Sequence, residues 1–263
     1  GPPVPEPNEG IRTAMAKARK AWFAGDFATA HKVLQSALPP RITPRSYQTL
    51  GDLRWKLDGA EKPENYHRHL DLDTGVATTR FRIDGVTYVR VVFASAVDQV
   101  IVVRQTADKR GALNMELSLD RPADFATKAI ATDLLAMTGR AQHGGKHLGV
   151  KWQARIAVKT DGGSVRAEED GLRIEKANAL TIYIAAATDF NRKDPAAPLE
   201  RDRGEACARQ LKGAMAKPFD QLLADHVANH RRLFRRCDLD LGGWDASNRP
   251  TDRRVKALAG GQP

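Results

Sequence analysis

A chain of 263 residues with 41% hydrophobic and 28% charged side chains has a globular composition and is long enough for one large core. Its longest uninterrupted apolar runs are strand-length, as at 184–187, which excludes a helical membrane span, and two cysteines exclude a disulfide scaffold. The net charge of +10 invites a nucleic-acid partner, but Lys and Arg are interleaved with 32 acidic residues and only 231–237 forms a basic cluster. Aromatics at 6% are too sparse for a base-stacking platform, so no nucleic acid and no membrane are expected as partners.

The chain opens GPPVPEPNEG, Pro-rich and without an initiator Met, and is expected to be a piece of a longer protein. From Glu9 to Leu38 apolar residues recur at helical spacing, first Ile11, Met15, Ala18 and Trp22, then Phe27, Ala30, Val33, Leu34 and Leu38. Gly25-Asp26 breaks the run and Pro39-Pro40 ends it, which predicts an αα-hairpin whose Trp22-Phe23 pair is packing.

Strands follow. Residues 47–57 alternate, and 66–104 reads as four consecutive strands. Asp84-Gly85 tolerates the two positive φ angles of a type I′ turn. Such a turn sets Ile83 against Val86, Phe81 against Tyr88 and Ala77 against Val92 on one face, with Arg82–Thr87 and Arg80–Val89 on the other. In 112–119 Leu113, Met115, Leu117 and Leu119 share a face; in 151–159 Trp152, Ala154, Ile156 and Val158 do the same. Asp161-Gly162-Gly163 and Asp170-Gly171 read as turns, the second opposing Arg166 to Glu175 and Glu168 to Arg173. Residues 179–187 form an almost wholly apolar strand, expected to be buried on both faces, and no helix is expected between Thr43 and Thr188.

Beyond 199 the pattern is helical to 216. Pro218 fits the first turn of a second helix running to about Arg236, with Leu222, Leu223, Val227, His230, Leu233 and Phe234 on one face. Residues 238–241 look strand-like, and Thr251 reads as the cap of a last helix. The fold class is therefore mainly β: a large antiparallel β-sandwich flanked by an N-terminal αα-hairpin and a C-terminal helical linker. The domain expectation is a sandwich over 1–198, with a helical insertion at about 9–38, and a linker over 199–263.

Three constellations invite chemistry. Asp71 and Asp73 share a strand face and resemble a glycosidase carboxylate pair, but carboxylates without a pocket are common on sandwich surfaces. His226 and His230 have the i,i+4 spacing of a zinc helix, yet Val227 stands where the general-base Glu belongs. His143-Gly144-Gly145-Lys146-His147 carries two imidazoles on a Gly loop with nothing to fix them. No metal, cofactor or catalytic residue is assigned. Exposed aromatics aligned on a sheet would make a carbohydrate-binding module, and Trp55 and Trp152 are the candidates. Cys207 and Cys237 either pair or are buried thiols.

The ordered stretches 47–53 (YQTLGDL), 66–81 (YHRHLDLDTGVATTRF), 89–104 (VRVVFASAVDQVIVVR), 180–190 (LTIYIAAATDF) and 226–242 (HVANHRRLFRRCDLDLG) resemble the N-terminal domain of glycoside hydrolase family 95. This is a family of bacterial and plant α-L-fucosidases. Residues 250–258 (PTDRRVKAL) are similar to the helix preceding that family's catalytic barrel. The resemblance implies a non-catalytic sandwich, incomplete at its start. Its parent would cleave terminal α-L-fucosyl residues by inversion, using groups on an (α/α)6 barrel beyond Pro263, with fucosylated oligosaccharide as substrate and a periplasmic or secreted location. No catalytic residue of that family falls on this sequence. The alternatives are a free-standing carbohydrate-binding module and, third, a basic nucleic-acid-binding protein.

Overall fold

The computed structural model describes residues 10–37, 48–59, 62–143, 147–194, 197–239 and 249–260. Two helices come first, α1 (Gly10–Phe23) and α2 (Phe27–Ala37). Gly25 turns the chain at φ 79°, and the Asp26 carboxylate caps α2 by accepting from the Thr29 N–H at 3.0 Å. The helices meet through Ala14, Ala18 and Ala30. Met15 and Trp22, expected on that face, lie at its rim and are 49% and 59% exposed. Small residues let two short helices approach closely, and the bulky neighbours are left outside.

Twelve strands follow among the described residues: β1 (Asp52–Leu57), β2 (Glu64–Asp71), β3 (Val76–Ile83), β4 (Val86–Ser95), β5 (Val100–Ala107), β6 (Leu113–Asp120), β7 (Phe125–Ala131), β8 (Leu134–His143), β9 (His147–Asp161), β10 (Ser164–Ala167), β11 (Gly171–Ala177) and β12 (Ala179–Thr188). They form a four-stranded sheet, β1-β6-β11-β10, and an eight-stranded sheet, β2-β3-β4-β5-β12-β9-β8-β7. Every pairing is antiparallel, so the sandwich expectation holds.

The β3–β4 hairpin has the expected register throughout, with Asp84 at φ 49° and Gly85 at φ 79°. The Asp170-Gly171 turn does not. Glu168 N–H donates to the Gly171 carbonyl at 2.9 Å, so the loop is Glu169-Asp170 and Arg166 stands opposite Arg173. Like charges in that position repel. Carboxylates offset this: Arg166 reaches Glu168 at 3.1 Å, and Arg173 binds Asp58 while lying 3.6 Å from Glu116 and 3.8 Å from Glu175. Gly171 serves another purpose, since a Cβ there would sit 2.7 Å from the Leu117 carbonyl oxygen. β7 and β8 are strands that the sequence pattern does not predict.

Two cores result. Between the sheets lie Leu113, Met115, Leu117 and Leu119 of β6, Trp152, Ile156 and Val158 of β9, and Leu180 and Ile182 of β12. The opposite face of the large sheet offers Phe93, Val100, Val102, Ala157, Tyr183, Ala185 and Ala187 to helices α3 (Arg203–Met215) and α4 (Phe219–Phe234). β12 is thus buried on both faces, as its composition predicts.

Asp202 caps α3, accepting from Glu205 N–H at 3.1 Å, and Pro218 occupies the cap position of α4. The buried stripe of α4 runs through Leu222 and His226, while Leu233 and Phe234, expected on it, are 49% and 47% exposed. In the last helix, α5 (Thr251–Ala259), Pro250 holds the cap position and Thr251 is the first helical residue. Asp238 and Leu239 are irregular rather than strand, and 240–241 lie outside the described residues. Cys207 is buried and Cys237 exposed, both as free thiols. No helix among the described residues is long and apolar enough to cross a membrane.

Candidate functional site

The two tryptophans proposed for sugar stacking both point between the sheets. Trp152 is 5% exposed, lies under the Arg121 guanidinium at 4.9 Å, and presents no open ring face. Trp55 is half-buried on β1, its ring covered by Arg90 at 3.4 Å. Arg90 also donates Nε–H to Gln105 Oε1 at 2.9 Å, and loss of hydration pulls its pKa down to about 10.

Asp71 is the last residue of β2 and Asp73 lies in the turn joining it to β3, so the two do not share a strand face. Gly75 N–H closes the turn on the Asp71 carbonyl at 2.8 Å, and the Asp71 carboxylate accepts from Asp73 N–H at 2.9 Å. A hydrogen bond from Thr74 holds the Asp71 carboxyl below the usual range. Asp73 faces α4. It accepts from Arg235 Nε at 2.6 Å and Nη2 at 2.7 Å, and from Arg231 Nε at 2.9 Å. The Arg235 hydrogen bonds, then those of Arg231, push its pKa down to about 2. A carboxylate held in two guanidinium forks is neither a general acid nor a base.

The histidine pair docks on the same turn. His226 Nε2 lies 3.3 Å from the Gly75 carbonyl oxygen and His230 Nε2 lies 2.8 Å from that of Leu72. A carbonyl only accepts, so both Nε2 atoms carry the proton and neither has a lone pair for a metal. Gly75, at φ 66°, is required here because a Cβ would meet the His230 ring. The rings form a ladder: Phe219 against Phe93 at 5.9 Å, Phe93 against His226 at 4.9 Å, then His230 and Phe234. At the other end of α4, Lys217 joins Asp98 at 2.7 Å and Asp225 at 2.8 Å.

The arrangement is a clamp. It fixes α4 across the β2–β3 turn and β4, and supplies no nucleophile or acid–base pair. Among the described residues no cluster of His, Cys, Asp and Glu is placed to hold a metal ion. The loop from His143 to His147 falls at 144–146, outside the described residues. The sequence carries the i,i+4 histidines and both aspartates, but the clamp joins residues about 160 apart. Only Arg231 and Arg235, on the same turn-to-turn spacing as the histidines, hint that four residues face one target.

The depressed Asp73 pKa gives the clamp a pH dependence. A carboxylate with a lowered folded-state pKa adds stability above its unfolded pKa of about 4 and loses it as the pH falls toward about 2. Asp73→Asn is therefore expected to lower the thermal midpoint at neutral pH, with the difference from wild type closing toward about pH 2. High salt should shrink it, because the pair is partly exposed. Identical midpoints at neutral pH and low salt would show that the clamp adds nothing.

Comparison with known proteins agrees with this architecture. The family model described as glycosyl hydrolase family 65, N-terminal domain, matches residues 1–193. Over 271 residues the chain is 26% identical to alpha-L-fucosidase 2 of Arabidopsis thaliana, covering 92% of this chain and 31% of that protein. Over 206 residues it is 27% identical to a probable alpha-fucosidase A of Aspergillus oryzae, covering 74% of this chain and 28% of that protein. It thus spans less than a third of the length of these relatives. A putative kojibiose phosphorylase from the human microbiome superposes with a TM-score of 0.50 at 13% identity, over 74% of this chain and 29% of that one, a likeness of fold alone. With the matched span taking in both helices of the N-terminal hairpin and all twelve strands, the chain belongs to the glycosyl hydrolase family 65 N-terminal domain family.

Proposed function

We propose that this chain is the non-catalytic N-terminal sandwich of a fucosidase-like glycoside hydrolase, serving as a rigid base for a catalytic barrel that acts on fucosylated oligosaccharide. The observation that carries the reading is the α4 clamp together with what lies past it. Leu233, Phe234 and Leu239 are 49%, 47% and 72% exposed at the end of an otherwise anchored helix, and Val255 and Leu258 of α5 are 61% and 73% exposed. Exposed apolar residues at the end of a fixed helix, and others on α5, suit a further packing partner. The names of the two curated relatives supply the substrate class.

The test is turnover of p-nitrophenyl α-L-fucoside. The chain alone is expected to release no nitrophenol above the buffer blank, and the full-length parent to release it with terminal fucose as co-product. Turnover by the chain alone overturns the non-catalytic role; an inactive parent overturns the fucosidase reading.

A further inference from the structure

The outer face of the large sheet holds an open groove of about 450 Å³ beside α3. The helix packs on β12 and β9, and β8 continues the sheet past its flank. The floor is apolar: Leu134 of β8 and Ala157 of β9, paired across the sheet, meet Met215 of α3. Three charged side chains stand round it, Arg155 of β9, Lys212 of α3 and Asp133 in the β7–β8 turn. A concave, mostly apolar site with a few polar groups, within a range of about 300–1,000 Å³, has the dimensions of a small-molecule site.

Arg155 is the side chain that asks for a partner. Strand parity puts it on the outer face, opposite Ala136, and Gly204 of α3 leaves room for its guanidinium, since a Cβ there would lie 2.5 Å from Nη2. Its Nε is buried without an acceptor, and among the described residues no carboxylate forms an ion pair with Arg155 or Lys212. Asp202 is near enough to feel the Arg155 charge, but it accepts from Glu205 N–H at 3.1 Å and caps α3. Buried donors without acceptors are costly, so an anion that reaches Arg155 recovers an interaction the fold does not supply. At the far end the Asp133 main chain accepts from Val158 N–H at 2.9 Å, while its carboxylate has no partner among the described residues. Val158 lies three residues, about 10 Å, along β9 from Arg155. With both side chains lining the groove, one sugar unit spans its basic and acidic ends.

We propose that this groove binds a sugar acid, a uronate unit of a glycan. Arg155 and Lys212 hold its carboxylate, Leu134, Ala157 and Met215 lie against the apolar face of the ring, and Asp133 accepts from a hydroxyl. A sugar acid satisfies all three features of the groove at once. A small inorganic anion uses only the positive charge and is repelled by Asp133; a fatty acid uses the charge and the floor but brings Asp133 no donor. The choice of a sugar over other hydroxylated acids rests on the reading of this chain as part of a glycoside hydrolase.

The test titrates the intact chain with methyl β-D-glucuronoside and with methyl β-D-glucoside, its neutral counterpart, following backbone amides by NMR. The glucuronoside is expected to bind about tenfold more tightly, the gain from a charge-assisted hydrogen bond, and to shift amides in 133–136, 155–157 and 208–216. Lys212→Gln, at an exposed position, should weaken the glucuronoside about threefold, and Arg155→Gln should bring the two sugars level. The comparison of the two probes on the unaltered chain stands even if Arg155→Gln unfolds. No saturable binding of the glucuronoside, equal affinity for the two sugars, or shifts outside the groove overturn the proposal. Hexanoate binding as tightly as the glucuronoside overturns it in favour of organic carboxylates in general, and inorganic phosphate doing so overturns it in favour of a plain anion site. Because no turnover is read, an inactive parent enzyme would count against the proposed function and leave this result untouched.

Discussion

Trp152→Ala is expected to destabilise the sandwich by about 3–5 kcal/mol, the range for removing a large buried aromatic from a well-packed core. The ring is 5% exposed and lies in β9 between Gly139 of β8 and Thr188 of β12. The absence of a side chain at Gly139 makes its space: a Cβ there would collide with the Trp152 ring. The Arg121 guanidinium also lies over it, 4.9 Å from the ring. The indole N–H has no acceptor among the described residues, so the ring contributes by bulk rather than by hydrogen bonding. Urea denaturation followed by circular dichroism measures the loss. A change under about 1 kcal/mol would mean that the ring is not part of the core. The size of the effect also guards against a misreading, since loss of sugar binding in this variant would report unfolding rather than a lost contact.

Leu222→Ala should cost about 2–5 kcal/mol and do so in the same cooperative transition as the sheet. Leu222 is fully buried in the outer core, in the cluster that holds Phe93, Cys207 and Leu211. It anchors the middle of the first half of α4, while the Asp73 clamp and the histidine ring ladder hold the second half. Hydrogen exchange across 219–234 distinguishes two outcomes. If the helix and the large sheet lose protection together, α4 belongs to the sandwich's folding unit. Rapid exchange of α4 in the wild-type chain, with a small change in stability, would make the helix an appendage. A base for another domain requires the first result.

The strand pattern was legible where the backbone left only one solution. Asp84-Gly85 needs two positive φ angles, and only a two-residue turn between matched strands supplies them in that context, so the register followed. Asp170-Gly171 looks the same in the sequence but answers a different demand: closeness of the β11 backbone to Leu117. β7 leaves little trace in the sequence because its FATKAIA run is mostly exposed at a sheet edge, where little alternation is required. Trp152 shares the apolar face of its strand with Ala154, Ile156 and Val158, so its burial is readable from parity alone. The clamp was not. His226 is 6% exposed because Phe93 from a strand more than a hundred residues earlier covers its ring, and no local spacing encodes that.

β12 is the last strand among the described residues and a central one in the sheet. It pairs with β5 on one side and β9 on the other, and so joins two runs, β2 to β5 and β7 to β9, that otherwise do not touch through backbone hydrogen bonds. During synthesis each run forms from adjacent hairpins as it emerges, and each ends in a bare apolar edge, Val102 and Val103 on one and Ile156 to Val158 on the other. Neither edge is sealed until residue 188 has left the ribosome. The nascent chain therefore carries the β5 edge open from residue 107 and the β9 edge open from residue 161, and a single alanine-rich strand closes both.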